Sequence, residues 1–125
     1  MQPFLFRHNR VWRCYRGGAL IDRLRGHPRP RDTLFPEDWV ASTVEAHNPQ
    51  RNDPGEGLGA ALVSGKEISF PDLTARRAKD LFGREHVEAH GAEPGFLTKL
   101  LDSAVRLPLQ AHPDRETAQR LYGSP

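Results

Sequence analysis

A glutamine and a histidine near the end of the chain form a pair that could bind a metal ion. Gln110 and His112 lie within residues 107–112, whose composition predicts a β-strand. Side chains alternate faces along a strand, so both would project from one face with Cα atoms about 7 Å apart. At that spacing an amide oxygen and an imidazole nitrogen can converge on one metal ion at roughly 2.0–2.2 Å each. The spacing alone is also typical of two solvent-facing polar side chains.

A lysine stands in a mostly apolar segment that precedes this pair. Residues 96–101 are predicted to form a strand, on which Lys99 shares a face with Leu97 and Leu101. A lysine in that position must extend to solvent, find a partner or line a cavity. An edge strand can equally carry a lysine that discourages aggregation. Lys99 is therefore both a candidate catalytic residue and a candidate edge residue.

Three other groupings point less clearly to chemistry. His86 and His90 are four residues apart, but the glutamate between them is misplaced for a zinc-protease motif, which favours a polar loop. The glycines of residues 55–59 lack the Gly-Lys-Ser/Thr ending of a phosphate-binding loop, which favours a flexible turn. Cys14 is the single cysteine, so an internal disulfide is excluded and no paired histidine suggests a nucleophile.

The elements that must position these residues are predicted to be short. Strands are expected at residues 39–44, 96–101 and 107–112, and short extended pieces around a turn at residues 11–22. Helices are expected at residues 71–82 and 114–122, where proline or aspartate suits the start and glycine the end. Prolines exclude a regular element at residues 26–36, and residues 48–59 read as a surface loop. The predicted fold class is mainly β with short helices.

Composition limits the size of the protein and its partners. A chain of 125 residues corresponds to one ordinary domain. A net charge of +2, from 18 basic and 16 acidic residues, is too balanced to indicate a nucleic-acid partner. No stretch approaches the roughly 20 apolar residues of a membrane span, so we expect no membrane partner and a cytoplasmic location. The basic residues concentrate near the start of the chain, where they could meet an anion such as a phosphate: Arg7, Arg10, Arg13, Arg16, Arg23, Arg25, Arg29 and Arg31.

Residues 95–114, GFLTKLLDSAVRLPLQAHPD, resemble the signature of type I mannose-6-phosphate isomerases. In that pattern an apolar strand with a lysine leads, through a short connection, to a strand that ends Gln-x-His-Pro-Asp. Earlier segments are similar to the same family. Residues 10–18 resemble its Trp-Gly-rich opening, residues 36–42 its Glu-x-Trp-x-x-Ser strand, and residues 73–83 its helix.

The resemblance implies a cupin, or jelly-roll, β-barrel and a zinc-dependent activity. That activity interconverts mannose 6-phosphate and fructose 6-phosphate, in carbohydrate metabolism and GDP-mannose biosynthesis. The resemblance further implies that Gln110 and His112 are two of the ligands of one Zn²⁺ ion and that Lys99 lines the active site. The expected partner is a sugar phosphate.

The family's next segment, Gly-Lys-x-Glu, supplies a third zinc ligand, and a histidine supplies a fourth much later. The printed sequence stops where that segment would begin. We therefore expect residues 1–125 to be the N-terminal portion of a cupin domain whose barrel and metal site are incomplete in this chain. Two alternatives follow: a truncated, inactive fragment that at most binds a metal weakly or pairs with another chain, or a sugar-binding cupin without catalysis.

Overall fold

The computed structural model describes residues 4–109 and 111–123. Within them, no helix has the length and apolar character needed to cross a membrane. The elements are, in chain order, β1 (Leu5–Phe6), β2 (Arg10–Val11), α1 (Ala19–Leu24), β3 (Glu37–Val40), β4 (Ala60–Val63), β5 (Lys66–Ser69), α2 (Phe70–Phe82), α3 (Arg84–His90), β6 (Thr98–Leu101) and α4 (Arg115–Tyr122).

The strands form two small antiparallel sheets rather than one. One sheet has the order β1-β4-β5 and the other the order β2-β3-β6. In the second sheet, Arg10 pairs with Asp38, and Trp39 pairs with Lys99. Neither sheet closes into a barrel within the described ranges. The fold is mixed α/β, which confirms the predicted strands and short helices in part, and the cupin barrel stays a prediction.

The apolar core lies where the first sheet meets α2. Ala61 of β4 and Phe70 and Leu73 of α2 are buried together. The rings of Phe6 and Phe70 pack edge to face, with centroids 5.0 Å apart, a geometry that aromatic pairs favour. The second sheet differs, because it buries Glu37 and Asp38 beside Val11 and Trp39. The buried carboxylates and the candidate residue Lys99 therefore lie on the second sheet.

The second sheet is tied to α1 by a distant carboxylate. The helix begins after Gly18, which has no side chain that could cap the first N–H groups. Oδ2 of Asp102 accepts hydrogen bonds from the N–H groups of Gly18, at 3.1 Å, and Leu20, at 2.7 Å. Asp32 accepts from the N–H of Ala19 at 3.2 Å. The end of β6 thereby fixes the position of α1.

Two predicted helices are confirmed, and two further helices, α1 and α3, were not expected. α2 has Pro71 in its first turn and ends at Gly83, and α4 begins after Asp114, whose side chain accepts from the N–H of Thr117 at 2.8 Å. The segment predicted as a polar loop, residues 86–90, is helical and belongs to α3. Glycines bound α3 on both sides, and the ring of His86 packs on Phe82 at 5.3 Å between centroids. Packing on α2 thus stabilises α3, whose polar sequence did not predict a helix.

The predicted strands fare unevenly. β6 confirms the strand at residues 96–101 in its last four positions, and β3 begins two residues before the predicted strand at 39–44. Residues 11–22 contain the end of β2 and most of α1 instead of two extended pieces. The strand predicted at 107–112 is wrong for every described residue of that range. Pro108 lacks the N–H that a ladder requires, and Leu109 is fully exposed where the alternation required a buried face.

Candidate functional site

Glu37 is a buried carboxylate on β3, with 3% of its side chain exposed. Glu37 and Trp39 are two residues apart, so they project from the same face of the sheet. Lys99 lies directly opposite Trp39 on the neighbouring strand β6, which puts the lysine on that face too. The register of β3 and β6 thus brings an acid, an indole and an amine together.

Both oxygens of Glu37 accept several hydrogen bonds. Oε1 accepts from Nε of Arg13 at 3.1 Å and from the hydroxyl of Tyr15 at 2.9 Å. Oε2 accepts from the indole Nε1 of Trp39 at 2.7 Å and from Nη2 of Arg13 at 3.1 Å. Nζ of Lys99 is 3.4 Å from Oε2. We call these five residues the Glu37 cluster.

The cluster keeps its carboxylate charged and its phenol neutral. Burial by itself raises the pKa of Glu37, but hydrogen bonds from Trp39, Arg13 and Tyr15 outweigh it, so the pKa lies below the ordinary value of 4.5. The pKa of Tyr15 is raised to about 12, first by burial and then by its hydrogen bond to the charged Glu37. Glu37 is therefore an anion at neutral pH and a poor proton acceptor there.

Lys99 connects this buried anion to solvent. Its side chain is 39% exposed, and its Nζ lies 6.0 Å from the centre of the Trp39 ring, within range of a cation–π contact. An ammonium group carries three donors, and one is directed at Glu37. The others are available to an oxygen of a bound molecule. Lys99 thus lies on an edge strand and also has a buried partner, and its catalytic role stays a prediction.

The predicted metal pair is described in one half only. Gln110 lies outside the described residues, and His112 is exposed on the irregular segment before α4. Among the residues that the structure describes, no three histidine, cysteine or acidic side chains are grouped to hold a metal ion. A catalytic zinc site has three protein ligands and a water. The described residues supply one expected ligand, His112, and so do not by themselves fit a zinc ion.

The sequence interpretation missed four members of the cluster as site residues: Arg13, Tyr15, Glu37 and Trp39. A usable signal was present, because Glu37 and Trp39 alternate on a strand and Arg13 and Tyr15 alternate just after another. Pairing of these segments could not be deduced from alternation alone. The remaining groupings form no site: Cys14 is exposed with a free thiol, and Nε2 of His86 lies 2.7 Å from the carbonyl oxygen of Glu93.

Comparison with known proteins adds no relative to this picture. No family model, no curated protein and no solved structure matches this chain. The resemblance to mannose-6-phosphate isomerases therefore stays a prediction that depends on the residues quoted for it.

Proposed function

We propose that this protein acts on a hexose 6-phosphate as an aldose–ketose isomerase of the mannose-6-phosphate isomerase type. One structural observation supports the proposal most: Lys99, the residue that matches the active-site lysine of the signature, is held by a buried carboxylate and keeps part of its side chain in solvent. An edge-strand lysine that serves only to discourage aggregation needs no buried partner.

The chemistry required is the transfer of a proton between C1 and C2 of the sugar through an enediol. Negative charge develops on the sugar oxygens as the proton leaves, and a fixed cation stabilises it. The ammonium of Lys99 is such a cation. Glu37 acts on Lys99 rather than on the sugar, because its lowered pKa and its four nearer donor contacts make it a positioning group.

The zinc requirement rests on the resemblance alone. Gln110 and His112 would hold the ion, together with ligands that the described residues do not supply. A bound zinc ion would polarise the carbonyl and hydroxyl oxygens of the sugar. The barrel of the cupin fold belongs to the same proposal.

The test is turnover of mannose 6-phosphate by the protein produced from its complete coding region, followed with a coupled enzyme. Removal of metal with a chelator should abolish activity, and added zinc should restore it. Lys99→Ala should lower kcat by on the order of 10²-fold, the usual loss for a removed charge-stabilising group. Lys66→Ala is the matched control, since Lys66 is an exposed lysine on β5 of the other sheet. Full activity in Lys99→Ala would refute the role of Lys99, and chelator-insensitive turnover would refute the zinc requirement.

A second candidate is a protein that binds a sugar phosphate without converting it. The part-exposed ammonium of Lys99 would contact the phosphate or hydroxyl oxygens of the sugar in this case too, and binding alone requires no metal ion. This candidate predicts saturable binding of mannose 6-phosphate with no fructose 6-phosphate formed at any zinc concentration. Turnover in the coupled assay separates the two functions.

A further inference from the structure

An open cleft lies on the face of the second sheet that is opposite to the Glu37 cluster. Its volume is about 680 Å³. Arg10 of β2 and Asp38 of β3 are register partners and project to this face, whereas Glu37 and Trp39 project to the other. We call it the arginine cleft, since three guanidinium groups lie on its wall, with two imidazoles and an aromatic ring: Arg10, Arg25, Arg31, His8, His27 and Phe35.

The carboxylates near the cleft are committed to protein donors. Asp22 accepts from Nη1 of Arg10 and, at 3.3 Å, from the N–H of Arg31. Asp22 lines the cleft, whereas Asp38 is not among the lining residues and is fully buried; Asp38 accepts from the N–H of Asn9 at 2.9 Å and pairs with Arg25 at 3.0 Å. Three guanidiniums against two carboxylates leave one net positive charge, to which any protonated imidazole adds. The oxygens that would repel an anion point at other groups.

Two of the three guanidiniums, those of Arg25 and Arg31, keep nitrogen donors without an acceptor in the described chain. All three guanidinium nitrogens of Arg10 have protein acceptors: Nη1 donates to Asp22, and the carbonyl oxygen of Phe35 accepts from Nη2 and, at 2.9 Å, from Nε. Arg25 engages Asp38 through Nε and Nη2, which leaves its Nη1. Arg31 is exposed, and no described carboxylate lies within ion-pair distance of its guanidinium. Rigid arginine donors around a cavity suit the several oxygens of a phosphate group.

We propose that the arginine cleft binds a phosphate group, as inorganic phosphate or as the phosphate of a small phosphorylated metabolite. Arg31 is the main contact, because its guanidinium is not committed to a carboxylate of the described chain. Arg25 is a positioned contact through Nη1, whereas Arg10, whose guanidinium nitrogens are engaged, contributes its positive charge at the wall. The site lies across the sheet from Lys99, so it is separate from the site of the proposed isomerase activity and does not depend on it.

The experiment is a titration of the protein with inorganic phosphate at neutral pH and constant ionic strength, followed by amide chemical shifts or calorimetry. Two or three charge-assisted contacts predict saturation with a Kd on the order of 1 mM. Arg31→Ala should weaken binding about tenfold, and Arg31→Lys should lose less because it keeps the charge without the fork. Arg29→Ala is the matched control, since Arg29 is an exposed arginine of the same loop that does not line the cleft. Circular dichroism checks that each variant is folded.

Two results would overturn the proposal. The first is an equal loss of binding in Arg31→Ala and Arg29→Ala, which would mean nonspecific attraction by surface charge. The second is a protein that shows no saturable binding of inorganic phosphate and that binds mannose 6-phosphate as the wild type but not as Lys99→Ala. That result would place the binding at Lys99 and not in the arginine cleft. In the expected result Lys99→Ala binds inorganic phosphate as the wild type does. Mannose 6-phosphate, titrated into that variant, then reports whether the cleft holds the sugar as well as the phosphate. Loss of isomerase turnover in Lys99→Ala leaves this readout untouched, so the two proposals fail separately.

Discussion

The indole Nε1 of Trp39 donates a 2.7 Å hydrogen bond to Oε2 of Glu37, which precedes it by two residues on the same strand. The two side chains share a face because strand residues alternate. The indole therefore both shields the carboxylate from solvent and donates a hydrogen bond to it. Arg13 completes the arrangement, since it binds both oxygens of Glu37 and lies over the Trp39 ring at 5.2 Å. The cluster that holds Lys99 is built from the protein's own contacts and needs no ligand to form.

Replacing the central carboxylate should destabilise the fold strongly. Glu37→Gln leaves the guanidinium of Arg13, 18% exposed, without its counter-charge. We expect a loss of about 3 kcal/mol in the free energy of unfolding, typical of a buried pair that loses one partner. Urea unfolding followed by tryptophan fluorescence measures it. Glu67→Gln is the control: its bridge to Arg7 is more than half exposed, so its loss should stay below about 1 kcal/mol. Equal losses in the two variants would contradict the burial argument.

The same carboxylate should make the protein sensitive to acid. The folded-state pKa of Glu37 lies below its unfolded value near 4.5, so the native state binds the proton more weakly. The contribution to stability is complete above pH 4.5 and is lost as the pH falls through the lowered pKa. Urea midpoints measured from pH 6 down to pH 3 should therefore fall more steeply for the wild type than for Glu37→Gln. Parallel curves would show that other carboxylates cause the acid dependence.

Tyr15 should ionise later than an ordinary phenol. Burial and the charge of Glu37 raise its pKa from 10.0 to about 12. The contribution to stability is complete below pH 10 and is lost as the pH rises towards 12, because the folded state holds the proton more tightly. The ultraviolet difference titration between the wild type and Tyr15→Phe isolates this phenol. In a Glu37→Gln background the midpoint should move back towards 10, and an unchanged midpoint would mean that burial alone sets it.

Zinc affinity should depend on His112 if the isomerase proposal holds. His112 is exposed, so His112→Ala should leave the free energy of unfolding of the metal-free protein unchanged. It should weaken zinc binding by on the order of 10- to 100-fold or more, since even outer-shell changes around a metal have that effect. Competition with a chromophoric chelator measures the affinity. The control is His90→Ala, an exposed histidine on α3. The same affinity in both variants would remove His112 from the zinc site.

Gly17 should tolerate no side chain. It bridges Thr33 and Ser103, and a Cβ there would lie 1.9 Å from the carbonyl oxygen of Asp102. Gly17→Ala should therefore cost more than about 2 kcal/mol, because backbone segments would have to separate. Gly95→Ala is the comparison: its Cβ meets open space and its φ of +75° carries the only strain, about 1–2 kcal/mol. Thermal unfolding of both variants decides the matter, and a smaller loss for Gly17→Ala would contradict the packing of these three segments.

Local sequence determined the elements whose signals are local. α2 and α4 lie where they were predicted, from a proline or an aspartate at the start of each helix and a glycine at its end. These signals work because capping depends on residues close in the chain. The strand that carries Lys99 was predicted from its apolar pattern. A strand at residues 107–112 was predicted on the same grounds, and it is wrong for the residues described there. Alternation states what a strand would look like, but a strand forms only beside a partner.

Tertiary structure alone decided what the charged side chains do. Glu37 and Lys99 are 62 residues apart, and nothing local to either predicts that β3 and β6 pair in a register that joins them. The pairing of β2 with β3 places Arg10 and Asp38 together on the opposite face, where the arginine cleft opens. The sequence by itself therefore determined α2, α4 and the presence of reactive residue types, but not α1 or α3. The long-range pairing of strands decided which of them meet, because hydrogen-bonded register sets the face and the neighbour of every side chain.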